Sequence, residues 1–331
     1  MYHAPTRLSS GSRHFFLPPL FDPQAGVSVR APLGTGPGWW AGAPSCVYDP
    51  TDDRFYLYYR YRKPRELGRG VDCRIAASAD GLRFDDLWCA SKEQLSTQSM
   101  EKASLVRGPA GPWRLYLSFV DTEGRWCIEM CEAPSLQQLD VTRRLRILDA
   151  DACQAEGVKD PAVYNLAGLW FMFASYAPSP QAVTDDLRRT MHATGDVYNT
   201  GTTKSLTGLA TSPDGLSWTW HGTVLEPPDS GWDQYCTRIG AILPMPPLFL
   251  GFYDGSAGVE ENYEEKAGLC YSFDLRNWVR TTTSGPFVLS PHAQKTIRYI
   301  EVVPRDDALF YYYEYTRPDG SHELRANRVP W

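Results

Sequence analysis

One pattern recurs five times along this 331-residue chain and narrows the choice of fold more than any other feature. It is an apolar strand, a short turn, and then a strand crowded with aromatic residues. The copies read APSCVYDPTDDRFYLYYRYR (43–62), ASLVRGPAGPWRLYLSFVD (103–121), DPAVYNLAGLWFMFASY (160–176), IGAILPMPPLFLGFYDG (239–255) and YIEVVPRDDALFYYYEY (299–315). Within them Phe55, Leu57 and Tyr59, or Leu115, Leu117 and Phe119, alternate with the period of two expected of half-buried strands.

A second repeat follows the first. IAASADGLRF (75–84), IEMCEAPSLQQL (128–139), GLATSPDGLSW (208–218) and GLCYSFDLRNW (268–278) each join a strand of small residues to a tight turn. Asp bonds its own backbone and Gly accepts a positive φ, so Asp-Gly and its relatives end strands. Successive hairpins lie roughly 60 residues apart, the length of a four-stranded propeller blade with its loops. The spacing therefore predicts an all-β chain: one five-bladed β-propeller domain over residues 1–331, with four-stranded antiparallel blades. Residues 1–40 are expected to close or cap the ring, and the one expected helix, around Ala182–Met191, should lie on a loop. A two-sheet sandwich explains the short strands but not a fivefold repeat.

Composition agrees with this reading. Aromatic residues make up 13 % of the chain, and 27 Gly and 26 Pro supply turns. Charges are scattered, with a net of −6 and no basic block, which argues against a nucleic-acid partner. No run reaches the ~18 apolar residues of a membrane span, and the N-terminus lacks the apolar stretch of a secretory signal. A cytoplasmic protein without membrane contact is expected. The eight cysteines have no zinc-ribbon spacing and read as reduced core thiols. Neither metal nor cofactor is expected, and the sequence leaves the oligomeric state open.

VYDPTDDRFYLYYR, CRIAASADGLRF, VKDPAVY and YSFDLRNW together resemble motifs of the five-bladed propeller glycosidases, that is, glycoside hydrolase families 32, 43, 62 and 68 and the mannoside phosphorylases of family 130. The resemblance implies a sugar pocket on the propeller axis, where acids at the starts of the first strands cleave a glycosidic bond. Such cleavage takes two carboxyl groups, one protonated and one ionised, and close acids push each other's pKa values apart. Carried onto this chain, it implies Glu101, Asp160 and Glu301 as catalytic acids. Glu101 is the preferred general acid, in surroundings expected to be apolar. Trp40, Arg60, Asp233, Arg238, Asp254 and Arg298 are the implied substrate-binding residues. In the first blade the family's acid before proline is replaced by Ala43.

Two further readings stay open. Phosphorolysis needs one acid and a basic phosphate site, for which Arg60, Arg62, Arg69 and Arg74 are candidates. A propeller that binds a sugar or partner without catalysis would tolerate Ala43. The long inserts around HATGDVYNTGTTKS (192–205) and YDGSAGVEENYEEKAGLCYS (253–272) could form a lid and a pocket wall.

Overall fold

A computed structural model describes residues 17–108 and 111–331. β1 (Val27–Arg30) comes first. Four-stranded runs then pair antiparallel in chain order: β2 (Trp40–Asp49), β3 (Arg54–Arg62), β4 (Gly70–Ser78) and β5 (Asp85–Ser91); β6 (Ser104–Arg107), β7 (Trp113–Val120), β8 (Trp126–Ala133) and β9 (Leu145–Leu148); β10 (Ala155–Leu166), β11 (Leu169–Pro178), β12 (Leu206–Ser212) and β13 (Thr219–Leu225). Next come β14 (Cys236–Met245), β15 (Leu248–Ser256), β16 (Lys266–Ser272) and β17 (Trp278–Arg280). β18 (Ile297–Arg305), β19 (Ala308–Thr316) and β20 (His322–Pro330) complete the chain. Their fourth strand is β1, which pairs antiparallel with β20, Val27 facing Ala326. That contact engages part of the expected closing segment 1–40; its first sixteen residues lie outside the described ones. α1 (Asp185–His192) sits in the β11–β12 connection, where the helix was expected, and Thr184 caps it by accepting the Leu187 N–H.

Single parallel contacts, Lys266 with Ile297 and Trp40 with His322, join the fourth, fifth and first runs into one sheet, and each pair of neighbouring runs shares an apolar cluster, so the core lies between runs. Tyr58 and Ile75 meet Leu115 and Leu117; Met130 meets Met172; Phe173 meets Ile239; Phe252 meets Tyr311; and Leu57 meets Phe310 and Val29. The last of these joins the end of the chain to its beginning. The first strands touch in the same cyclic order: β2 with β6, β6 with β10, β10 with β14, β14 with β18, and β18 with β2. This mostly-β arrangement is propeller-like.

Side chains stitch these first strands together. Ser45 Oγ accepts the Leu105 N–H at 3.0 Å, Ser104 Oγ accepts the Val163 N–H at 3.0 Å, and Tyr164 OH accepts the Ile242 N–H at 2.8 Å. Each satisfies a buried backbone donor that has no ladder partner on that side. The strand-ending turns repeat as closely. Ser78 and Asp80, Ser212 and Asp214, and Ser272 and Asp274 accept the same set of backbone N–H groups. Gly81 and Gly215 supply the left-handed residue (φ 73° at each), and Leu275 takes it at φ 65°.

Candidate functional site on the axis

Where the first strands converge, most of them slip by a residue. The register breaks between Gly42 and Ser45, Lys159 and Ala162, Ile239 and Ala241, and Arg298 and Glu301. Such bulges re-aim a side chain. At three of them a non-glycine residue turns left-handed: Ala43 (φ 53°), Asp160 (φ 55°) and Tyr299 (φ 53°), at roughly 1–2 kcal/mol each. Ala43 therefore occupies, in the first run, the place Asp160 holds in the third. Lys102 follows Glu101 at the corresponding place in the second.

The residue before each bulge, or in the fourth run the one preceding it, faces the polar member of an aromatic strand. Gly42 faces Arg60, Lys159 faces Ser175, Arg238 faces Asp254, and Arg298 faces Glu314. In the second run Glu101 donates its N–H to the Ser118 carbonyl at 3.0 Å. Gly42 is small for a reason: a Cβ there would collide with the Glu314 carboxylate.

These positions build a buried ion network. Arg238 carries three carboxylates: Asp254 at 2.9 Å, Asp160 at 3.1 Å and Glu265 at 3.5 Å. Arg298 holds Glu265 and Glu314, both at 2.6 Å. Arg60 Nη2 lies 3.0 Å from both Glu101 and Glu314, and Arg62 also contacts Glu101. His322 bridges Glu314 (Nδ1, 2.8 Å) and Glu264 (Nε2, 3.1 Å). Rings interleave with the cations: Tyr299 lies 4.3 Å from the Arg238 guanidinium, and Trp40 stacks on His322 and lies 4.9 Å from Arg298. Asp160, Arg60, Glu314 and His322 are completely buried.

Two long connections cover the network. The segment after α1 brings Asp196, which pairs with Arg69 at 2.8 Å and also meets Tyr263, and Tyr198, whose ring lies 4.7 Å from the Lys159 ammonium. The β15–β16 connection brings Tyr263, Glu264 and Glu265, and Tyr263 closes over the Arg62 guanidinium at 5.1 Å. The segments expected as lid and wall thus meet through Asp196, Asn199 and Tyr263.

Burial and neighbouring charge split the acids into two kinds. Burial pushes Asp254 up to about 6, Arg238 opposing and Glu265 adding to the rise. Glu265 is equally buried, but Arg238 and Arg298 outweigh that and hold it down to about 2. Glu314 falls well below the usual carboxylate range, because Arg298, Arg60 and His322 outweigh its burial. One guanidinium thus joins a carboxyl that takes a proton near neutrality to one that stays ionised, a separation acid–base chemistry requires.

Most of the residues singled out from sequence meet here: Trp40, Arg60, Glu101, Asp160, Arg238, Asp254 and Arg298. Three differ from expectation. Glu101 lies between two guanidinium groups instead of in apolar surroundings, because the polar ends of β3 point inward beside it. Glu301 follows its bulge instead of preceding it, so it lies outside the Arg238 cluster. It pairs with Lys102 at 3.6 Å and lines a separate cavity of about 280 Å³ with Cys46, Ser104 and Tyr164. Burial raises the Glu301 carboxyl, which Lys102 partly offsets. Asp233 stands apart: its partners are Arg280 at 2.7 Å and the Tyr253 hydroxyl at 2.7 Å, outside the Arg238 cluster. Of the candidate basic residues, Arg74 pairs with Asp72 at 2.9 Å and Asp86 at 3.0 Å, away from the axis.

Glu314, Glu265 and His322 escaped the sequence reading. Glu314 had a signal, as the polar residue in the aromatic strand YYYEY, matching Arg60, Ser118, Ser175 and Asp254 in the other copies. Glu265 had none, being one acid in an acidic loop. Among the described residues no group of His, Cys, Asp and Glu is arranged to hold a metal ion, and no helix is long and apolar enough to cross a membrane.

With this geometry in hand, comparison with solved structures is informative. A glycoside hydrolase superimposes with a TM-score of 0.66 at 13 % identity, over 92 % of this chain and 93 % of its own. A member of the family-130 mannoside phosphorylases, from work describing hydrolases that target β-1,2 mannosidic linkages in Candida mannan, gives 0.63 at 15 % identity, over 92 % of both chains. The β-1,2-mannobiose phosphorylase of Listeria innocua, solved with mannobiose, gives 0.60 at 13 %, over 91 % of this chain and 93 % of its own. No family model matches the sequence, and no curated protein does. The fold is that of the propeller glycosidases.

Proposed function

We propose that this protein is a carbohydrate-active enzyme that cleaves a glycosidic bond at the axis of a single five-bladed, four-stranded propeller. The five cyclic contacts between first strands and the pairing of β1 with β20 support that count and that closure. The observation that carries the reading is the grouping of Asp160, Asp254 and Glu265 on one guanidinium, Arg238. Asp254, raised to about 6, is the general acid; Asp160 is the second carboxyl on the same guanidinium, and its Oδ1 has no hydrogen-bond donor among the described residues although fully buried. An unmatched buried acceptor is costly unless something else bonds it, and a substrate hydroxyl or attacking water meets that need. Arg238 orients both acids, Arg298 holds Glu265 beside them, Trp40 walls the site, and the covering segments move aside to admit substrate. The free thiols support a reducing compartment such as the cytoplasm.

Phosphorolysis is the second reading. Arg60 Nη1 and Arg62 Nε, both buried, lack acceptors, and a phosphate would supply them. Assaying the purified chain on a panel of aryl glycosides and β-linked disaccharides, with and without inorganic phosphate, tests both. Turnover without phosphate is expected; strict phosphate dependence favours the second reading. Sugar binding with no turnover under either condition would contradict both and fit the Ala43 gap.

A further inference from the structure

Beside the covering segments lies a second feature that the axial chemistry does not use. Arg65, Gly68, Arg69, Lys92, Gln98 and Thr194 line a crevice of about 340 Å³. Its walls are basic in a chain whose net charge is −6. The ammonium groups of Lys63 and Lys92 both hang over Gly68, which turns left-handed at φ 98° together with Arg69 at φ 66°. Lys63, Arg65 and Lys92 make no ion pair within 4.0 Å among the described residues, although Glu66 and Glu93 lie in the flanking turns. Lys92 spends one N–H on the Gly68 carbonyl at 2.7 Å and keeps two. Arg69, 6 % exposed, adds a further cation to the lining of the crevice, and its Nε–H has no acceptor among the described residues.

Arg69 also ties the crevice to the axis. Its other nitrogens donate to the Gly195 carbonyl at 3.0 Å and to Asp196 at 2.8 Å, in the segment that covers the ion network. A group bound at the crevice therefore sits at the edge of that cover.

We propose that this crevice binds the anionic group, a carboxylate or a sulfate or phosphate ester, of a carbohydrate whose scissile bond lies at the axial acids. The carbohydrate part of this statement rests on the proposed function; the anion part rests on the crevice alone. Planar guanidinium groups suit such oxygens, and the half-buried Lys63 and Lys92 strengthen the local field.

Isothermal titration of the full chain separates the two parts. The probes are inorganic sulfate, a glucuronate-containing oligosaccharide, a sulfated oligosaccharide and a neutral one of the same length. The anionic oligosaccharides are expected to bind at least ten-fold more tightly than the neutral one. That advantage should disappear in Arg65→Ala and Lys92→Ala, return in Arg65→Lys, and shrink as salt is raised. The uronate and sulfate arms tell which anion the crevice prefers. Equal binding of neutral and anionic sugars, unchanged binding in both alanine variants, or no binding of any probe would overturn the inference. Anion binding without turnover would leave it standing while the enzymatic reading falls, and turnover confined to neutral glycosides would do the reverse.

Discussion

Asp160 shows how much a single residue can mean in a repeated fold. Asp before Pro is an ordinary way to enter a strand, since proline holds the preceding residue extended. In the structure Asp160 instead turns left-handed at φ 55°, and so do Ala43 and Tyr299. The strain therefore belongs to the bulge, and the carboxylate is the local addition. Its position was legible from the hairpin repeat; its partners were not, because Arg238 and Tyr299 lie far off in sequence. The partners also set pH behaviour. Burial lowers the fully buried His322, but the hydrogen bonds its ring donates to Glu264 and Glu314 outweigh that and raise it. A cation favoured in the folded state adds stability that is complete below the unfolded pKa of roughly 6.5 and is lost as pH rises through the folded value. Replacing His322 with Gln should cost about 3–5 kcal/mol at pH 6, the range for breaking a buried pair, and less at pH 9. Urea unfolding at the two pH values checks this, and an equal cost at both would contradict it. Asp254, raised to about 6, behaves likewise at lower pH: its contribution is complete below about 3.8 and is lost towards pH 6.

At the scale of elements, the hairpins were readable because alternation and turn chemistry are local. β2–β3, β10–β11 and β18–β19 all lie where the repeats put them. Register was not readable, since one added residue decides which side chain faces the axis. That is why Glu101 and Glu301, each placed at a strand start, end up with different surroundings. The links between runs depend on the same register. Removing the Ser104 hydroxyl strands the Val163 N–H in the interior, so Ser104→Ala should destabilise the fold by about 1–3 kcal/mol, read as a lower urea midpoint with an unchanged slope. A neutral result would mean that water or another group already satisfies that donor.

For the whole molecule, the first and last described strands meet. β1 pairs with β20, and Val29 enters the cluster formed by Leu57, Phe310 and Leu324. Deleting residues 1–30 should expose the edge of β20 and lower the Tm by several degrees, because about 1 kcal/mol corresponds to a few degrees in a chain this long. Calorimetry checks this, and an unchanged Tm would show that β1 contributes nothing to closure. The axial network is a whole-molecule property too, since each run lends it a side chain and the covering segments complete it. The sequence showed that charged residues begin most of the first strands; that nearly all of them neutralise one another out of contact with solvent could be seen only in the folded structure.

The most direct test of the account compares wild type with Asp160→Asn on whichever glycoside the wild type turns over best, with circular dichroism and Tm recorded for both. The account expects kcat to fall about 10²–10⁴-fold, the usual worth of one acid–base group, with the fold retained. Full activity in the folded Asn variant would contradict the claim that the acids gathered on Arg238 do the chemistry.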